Sequence, residues 1–169
     1  MDLKSLNSLP HNEAVKALLQ CCGSTRWADH MAEMRPYPSL ETALASANDV
    51  WWSLQKDDWL EAFRSHPKIG EKKAADPVSD KSRQWSGQEQ AGVSNASHET
   101  VDALAALNRA YEQKFGYIFI ICATGKTSDE MLAALRKRIE NDAATELPIA
   151  AAEQRKITAL RLKKLVSSP

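Results

Sequence analysis

The chain has 169 residues, of which 43% are hydrophobic and 26% charged, so its size and composition fit one globular domain. Lysine plus arginine and aspartate plus glutamate each number 22, which gives a net charge of zero. Such a chain has no overall field that favours nucleic acid or an anionic membrane. The balance therefore argues against both partners and favours a small molecule or another protein.

The cysteines Cys21, Cys22 and Cys122 make a poor disulfide framework, because their number is odd and two are adjacent. The residues after Met1 lead into no apolar stretch of a secretory signal. No apolar run approaches the ~20 residues that a membrane span needs. The cytoplasm is therefore the expected location.

Hydrophobic residues recur at helical spacing along most of the chain, and helix start and stop signals punctuate them. The first predicted helix has its C-terminal cap at Gly23, and the second opens at Ser24 or Thr25. Ser39 is expected to cap the third helix, and Asp58 to cap the fourth.

Pro67 has to end the fourth helix, since the residue before a proline is pushed out of the α region. That residue is His66. The following stretch, 70–92, is polar and contains Pro77 and Gly87, so we expect a long irregular segment there.

Helical spacing resumes at Val101 and ends at Gly116. The apolar run 117–122 has high β propensity but no second strand to pair with, so it predicts a buried extended segment outside any sheet. Thr127 opens a further helix, and an amphipathic helix follows in the C-terminal part. Together the patterns predict an all-α single domain over residues 1–169, a bundle of about seven or eight helices.

His66 is the first candidate for chemistry. His11, His30 and His98 are expected within or beside helices on polar faces, whereas His66 stands at a helix end beside Pro67. Imidazole exchanges protons near neutral pH and is the commonest general acid or base. On this local pattern alone, an ordinary surface or core histidine is still the favoured interpretation.

Two further segments have both a structural and a functional interpretation. Ser86 and Glu89 have capping-box spacing and predict a helix opening at Gln88, while Glu89 and Gln90 are suited to binding a polar ligand. The run 119–126 ends in Thr-Gly-Lys but lacks the upstream glycine of a phosphate-binding loop, so nucleotide binding is rejected. Its apolar part offers backbone N–H and C=O groups to a flat heterocycle instead.

Arg161 is a candidate ligand-binding residue on the basic C-terminal helix, because a guanidinium fork can clamp a carbonyl or a carboxylate. The neighbouring basic residues Arg155, Lys163 and Lys164 are expected on a solvated face. The sequence carries no metal-binding signature, since it lacks His-Glu-x-x-His and Cys-x-x-Cys and its histidines are scattered.

Taken in order, these segments resemble the decarboxylase family that acts on 2-oxo-4-hydroxy-4-carboxy-5-ureidoimidazoline (OHCU) in the last step of urate degradation to allantoin. The resemblance covers essentially the whole chain, including Asn7-Ser8-Leu9 and the helical frame. It rests on four segments in the right order and spacing: His66–Gly70, Trp85–Val93, Tyr117–Lys126 and Lys156–Leu162.

The resemblance implies an all-α homodimer that takes OHCU as its small-molecule substrate and uses no cofactor or metal. It implies that His66, Glu89 and Arg161 are catalytic. It also implies a set of substrate-binding residues: Pro67, Ser86, Gln90, Phe119, Ile120, Ile121, Cys122 and Ala123.

In the mechanism that the resemblance suggests, His66 takes the proton of the C4 hydroxyl or steers the departing CO2. Glu89, Gln90 and Arg161 hold the ureido group and the ring, so that a proton arrives on one face and gives (S)-allantoin. Whether His66 acts as base, acid or carboxylate anchor stays open. Two alternatives also stay open: a non-catalytic helical interaction module, and a lyase or hydrolase of the same fold that acts on a related ureido compound.

Overall fold

The computed structural model describes residues 1–70, 78–93 and 96–167. Within these residues the chain forms nine α-helices and one short 3₁₀ helix, Ala91–Val93, and no strand. The all-α prediction is confirmed. The helices are α1 (Leu3–Ser8), α2 (His11–Leu19), α3 (Thr25–Glu33), α4 (Leu40–Ser53), α5 (Lys56–Arg64), α6 (Asp80–Glu89), α7 (His98–Phe115), α8 (Ser128–Arg138) and α9 (Ala143–Ser167).

Short polar side chains cap several of these helices as the sequence predicts. The hydroxyl groups of Ser24, Ser39 and Thr127 each accept a hydrogen bond from the backbone N–H three residues further on. At the other end of α7, Gly116 adopts φ 81°, a left-handed conformation that glycine reaches without steric cost, and its N–H donates to the carbonyl of Glu112.

The prediction of an irregular segment over 70–92 is wrong in its second half, where α6 runs from Asp80 to Glu89. Ser79 caps this helix by accepting from the N–H of Ser82. The predicted capping box at Ser86 is therefore also wrong, because Ser86 and Glu89 lie in the last turn of a helix that begins earlier. The residues 71–77 and 94–95 lie outside the described residues.

Two other predicted boundaries are displaced. The fourth predicted helix, α5, begins at Lys56, and Asp58 lies inside it with Oδ2 accepting from the N–H of Gln55. Asp58, the third residue of the helix, thus accepts from the residue before the helix, as the acidic residue of a capping box does. At α2 the helix ends at Leu19, short of the predicted cap at Gly23.

The chain divides into two compact units, and the division falls inside α5 and inside α9. The first unit consists of Met1–Ala62 and Arg155–Pro169. Its core contains the fully buried Trp27, whose indole N–H donates to the carbonyl of Ala47 over 3.1 Å. The side-chain amide of Asn7 bonds both backbone polar groups of Tyr37, over 2.9 Å each, and so fixes the chain between α3 and α4.

The second unit is Phe63–Gln154. Its core is built from α7, α8 and the run 117–123, with the aromatic rings of Tyr111 and Phe119 at its centre, 5.3 Å apart in an edge-to-face arrangement. Residues 117–122 belong to no helix or strand, as the sequence predicts. Residues 119–121 are buried as expected, whereas Tyr117, Ile118 and Cys122 are half-buried.

All three cysteines lie in the described residues, and none forms a disulfide. Cys21 and Cys22 are buried in the first unit, and burial raises the pKa of Cys22 from its ordinary value of 9.0 to about 12. Cys122, in the second unit, is half-buried. No helix among the described residues is long and apolar enough to cross a membrane.

Candidate active site

The end of α5 places His66 on a tight bend. Its backbone N–H donates to the carbonyl of Phe63 over 3.2 Å, and Pro67 prevents the helix from continuing. His66 is 8% exposed and Pro67 is buried. The bend closes at Gly70, whose φ of 86° lies in the left-handed region. The imidazole is therefore held on a short rigid turn, as the sequence predicts.

Contacts with two other helices fix this turn. The Lys68 ammonium lies 2.7 Å from a carboxylate oxygen of Glu112 on α7. The N–H of Gly70 donates to Oε1 of Gln90 over 2.9 Å. Gln90 is thus used in part to hold the turn, and the NH2 end of its amide is the part left to donate to a ligand.

Gln154 on α9 fixes the orientation of the His66 ring. The distance between Nε2 of His66 and Oε1 of Gln154 is 2.6 Å, and the Gln154 side chain is completely buried. An amide oxygen only accepts, so Nε2 is the donor in this bond. In the neutral imidazole the proton then resides on Nε2, and Nδ1 carries the lone pair that can take a proton.

The last turn of α6 carries two of the predicted site residues. Ser86 and Glu89 are three residues apart and are 5% and 8% exposed, so both lie on the buried side of the helix. A buried carboxylate is rarely found without polar partners in proteins. Gln90 follows as the C-terminal cap, and its N–H donates to the carbonyl of Ser86.

The turn after α6 packs tightly on the chain that follows the run 118–123. A side-chain carbon at position 92 would overlap the backbone carbonyl oxygen of Lys126, so only glycine fits there. The same loop is closed by a hydrogen bond from the N–H of Lys126 to the carbonyl of Ala123. Gly92 therefore sets how closely the 3₁₀ helix approaches the loop.

We call residues 119–123 the backbone segment. Phe119, Ile120, Ile121 and Ala123 are all less than 9% exposed, while Cys122 is half-buried. The carbonyl of Ile120 accepts from Nη1 of Arg138 over 2.6 Å, and the N–H of Cys122 donates to Oε1 of Glu153 over 3.3 Å.

Ile121 lies between these two bonds. Among the described residues its backbone N–H and C=O have no hydrogen-bond partner. Buried backbone polar groups are nearly always paired, with protein, water or a ligand. This pair is therefore the part of the segment best suited to bind a flat polar molecule.

The second unit brings most of the predicted residues into one body. Ile69 of the His66 turn shares a hydrophobic cluster with Phe119, Ile121 and Ala123 of the backbone segment. Phe63 and Tyr117, which precede these two segments, pack with ring centroids 5.4 Å apart and planes tilted by 50°. The unit also holds the last turn of α6, which the bond between Gly70 and Gln90 ties to the turn.

Arg161 belongs to the first unit. It is 3% exposed on α9, and its positive charge acts to lower the pKa of the nearby Cys22 thiol, although burial dominates and raises it. Of the three basic neighbours expected on a solvated face, Lys163 is exposed, whereas Arg155 and Lys164 are half-buried.

Three polar residues that bond the turn and the backbone segment were not predicted from the sequence: Gln154, Glu153 and Arg138. A signal was present in α9, where Glu146, Ala150 and Gln154 recur every four residues and are completely buried. Polar residues on a buried helical stripe indicate internal hydrogen bonding. No group of three or more metal-binding side chains occurs in the ranges that the structure describes.

Comparison with known proteins decides the family. The OHCU decarboxylase family profile matches residues 7–163, which include all of the second unit and most of the first. The chain belongs to the OHCU decarboxylase family. A crystal structure described as OHCU decarboxylase in the presence of (S)-allantoin has 39% sequence identity and a TM-score of 0.78, and the match covers 90% of this chain and 99% of that one.

Family members occur as separate proteins and within longer ones. The uric acid degradation bifunctional protein TTL of Arabidopsis thaliana is 44% identical over 87% of this chain, but the match covers only 45% of that protein. Two Bacillus bifunctional proteins are covered over 32% and 27% of their lengths. The OHCU decarboxylase of Haloferax volcanii is 24% identical, and the match covers 99% of this chain and 98% of that protein.

Proposed function

We propose that the protein decarboxylates OHCU to (S)-allantoin, the last step of urate degradation. Membership of the OHCU decarboxylase family over residues 7–163 supports this activity. The observation that carries the proposal is the burial and fixed orientation of the His66 ring. It is buried on a rigid turn with its ring oriented by Gln154, in the same compact unit as the Glu89 carboxylate and the backbone segment.

The substrate itself can accept the electrons that the departing carboxylate leaves behind. Its carboxylate is attached to C4, next to the carbon of a ring C=N bond, so OHCU is a β-imino acid. When the bond between C4 and the carboxylate breaks, the electron pair flows into a C4–C5 double bond and the imine nitrogen takes up the negative charge. The protein then has to orient the ring and move protons.

His66 is the group proposed to handle the proton of the C4 hydroxyl. Its Nε2 donates to Gln154, so in the neutral ring Nδ1 is the nitrogen that can accept this proton. As the C4 oxygen becomes a carbonyl, the hydroxyl proton is lost and C5 gains one proton, so these two transfers cancel. The ring nitrogen that took up the negative charge gains a further proton from solvent, which gives neutral allantoin. Stereochemistry follows if the proton that C5 gains arrives from one face.

Orientation of the ring is proposed to come from Glu89, the amide of Gln90 and the backbone segment. The buried Glu89 accepts hydrogen bonds well, which suits the N–H groups of a ureido substituent. Pro67 and Ser86 are proposed to border the ligand. For Arg161 the substrate contact rests on the resemblance alone.

The test is an assay with OHCU generated freshly from urate by the two preceding reactions. OHCU also decays spontaneously to racemic allantoin, so its loss is followed by absorbance and the product by circular dichroism. Accelerated loss together with optically active (S)-allantoin supports the proposal. Loss at the spontaneous rate with racemic product would contradict it and favour a non-catalytic interaction module.

Four other expectations from the sequence stay predictions: a single-domain organisation over 1–169, a homodimer, a cytoplasmic location and catalysis without metal or cofactor. Light scattering of the purified protein tests the dimer. Catalysis without a metal is tested by measuring turnover before and after dialysis against a chelator, with metal analysis of the same sample.

A further inference from the structure

A buried ion pair lies beneath the backbone segment. Glu146 is completely buried, and Arg138, 7% exposed, meets its Oε1 atom with Nε at 2.7 Å and Nη2 at 2.6 Å. The Tyr111 hydroxyl donates to the same oxygen over 2.5 Å, and the Asn141 amide donates to the other oxygen over 3.0 Å. Buried ion pairs contribute little net stability, because desolvation opposes their attraction. The pair therefore calls for an explanation beyond stability.

Arg138 makes a contact that leads toward the site. Its Nη1 donates to the carbonyl of Ile120 over 2.6 Å, and its guanidinium lies 4.4 Å from the centre of the Phe119 ring. A guanidinium is a planar fork with several fixed donors, so one side chain can bind a carboxylate and a carbonyl at once. Glu146 thus fixes the fork, and the fork fixes the carbonyl of Ile120.

The contact from Arg138 to the Ile120 carbonyl determines the direction of the Ile121 N–H, because the peptide unit is planar. In a planar trans peptide the C=O and the next N–H point in opposite directions. Because Arg138 holds the carbonyl of Ile120, the N–H of Ile121 must point away from Arg138. Because Glu153 holds the N–H of Cys122 at 3.3 Å, the carbonyl of Ile121 must point away from Glu153.

We propose that Arg138 and Glu153 are positioning residues, which aim the N–H and C=O of Ile121 at the substrate. This inference rests on the proposed function. A cyclic urea or lactam presents an N–H beside a C=O on one ring edge, which is the complement of this backbone pair. The segment then selects heterocycles with such an edge and rejects those in which the ring nitrogen is alkylated, since the Ile121 carbonyl would lose its donor.

The decisive variant is Arg138→Lys. Lysine keeps the positive charge beside Glu146 but replaces the rigid fork with one ammonium group, so the bonds to Glu146 and Ile120 cannot both keep their geometry. We expect the Kd of (S)-allantoin and the KM of OHCU to rise about tenfold, which corresponds to about 1.4 kcal/mol. The enantiomeric excess of the product should fall as well.

Tyr111→Phe is the matched control. It removes a hydrogen bond to the same Glu146 oxygen and leaves the bond from Arg138 to Ile120 in place. We expect it to lower stability while the Kd of (S)-allantoin stays within about twofold of wild type. Amide NMR adds a direct readout, in which the N–H resonance of Ile121 shifts on allantoin binding in wild type and Tyr111→Phe and loses that response in Arg138→Lys.

An unchanged Kd and an unchanged Ile121 response in folded Arg138→Lys would overturn the proposal, as would a wild-type protein that does not bind allantoin. If Arg138→Lys does not fold, Glu153→Ala and Glu153→Gln take its place. The glutamine keeps an oxygen acceptor for the Cys122 N–H, so it should retain the affinity for (S)-allantoin that the alanine loses. Equal affinity in the two variants would contradict the proposal. Wild type that binds allantoin through Ile121 without turning over OHCU would reject the proposed function alone.

Discussion

The His66 turn and the backbone segment are both buried in the second unit, yet they offer different chemistry to a ligand. The turn presents one side chain, that of His66, whose ring is oriented by Gln154. Lys68 and Gly70 tie the turn itself to Glu112 on α7 and to Gln90 at the end of α6. The segment presents main-chain groups at Ile121, and its own side chains serve the core.

In the proposed function, this difference assigns proton handling to the turn and ligand positioning to the segment. A titratable side chain can exchange a proton with the substrate, whereas a backbone amide near neutral pH can only donate or accept a hydrogen bond. Substitutions at the turn should therefore act mainly on the rate of the chemical step. Substitutions that disturb the segment should act on affinity and stereochemistry.

The largest effect is expected from His66→Ala. Loss of positioned proton transfer should lower kcat by about 10²–10⁴-fold with the helical circular dichroism unchanged. His98→Ala, an exposed histidine at the start of α7, serves as the control and should keep wild-type turnover. If His66→Ala kept the wild-type kcat and the wild-type enantiomeric excess of allantoin, His66 would not have the proposed proton-handling role.

Gly92→Ala tests the loop that closes the segment. The new methyl group would overlap the carbonyl of Lys126, so the free energy of unfolding should fall by about 1–3 kcal/mol. Gly87→Ala is matched to it, since nothing lies within 4 Å of that position in α6 and alanine favours a helix. Urea unfolding measures the free energy of unfolding of both variants. Equal stability of the two would show that the loop accommodates the methyl group.

Gln154→Leu tests whether ring orientation matters at the turn. Loss of the 2.6 Å bond to His66 should lower kcat about tenfold, because the ring loses the acceptor that favours a proton on Nε2. Gln154→Glu keeps an acceptor but favours the protonated ring, so the pH at which activity is lost on acidification should move upward. A pH–rate profile identical to wild type in both variants would count against this orientation.

The smallest expected effect is the pH dependence of stability around the segment. Burial, and next the neighbouring Glu146, raise the pKa of Tyr111 above its ordinary value of 10. The unfolded phenol then ionises first, so stability is complete below pH 10 and falls above it, by about 1.4 kcal/mol per pH unit for one group. Urea unfolding between pH 9 and 11 should give a shallower decline in Tyr111→Phe, and parallel curves would contradict it.

Helix caps and the His66 turn could be predicted from sequence because their signals are local. Ser39 and Thr127 bond N–H groups three residues away, and Pro67 acts on its immediate neighbour. The start of α6 was missed because the polar stretch 70–92 has little hydrophobic periodicity, and there the serine caps Ser79 and Ser86 are equally plausible.

The residues that hold the site were not predictable in the same way. Gln154 is 88 positions from His66, and Glu153 is 31 from Cys122, so no spacing rule connects them. The role proposed for Ile121 uses its backbone, which every residue has, and its side chain carries no sign of that use. Such a site is recognised only when the polar side chains that bond its neighbours are known.

The half-buried Cys122 follows directly after Ile121, while Cys21 and Cys22 are buried in the other unit. Thiol reagents attack the accessible thiolate, so under native conditions they should modify one cysteine of the three. The wild-type chain thereby carries an attachment point for a fluorophore one residue from the proposed ligand contact. Protection of that thiol by added allantoin would report occupancy without any substitution in the protein.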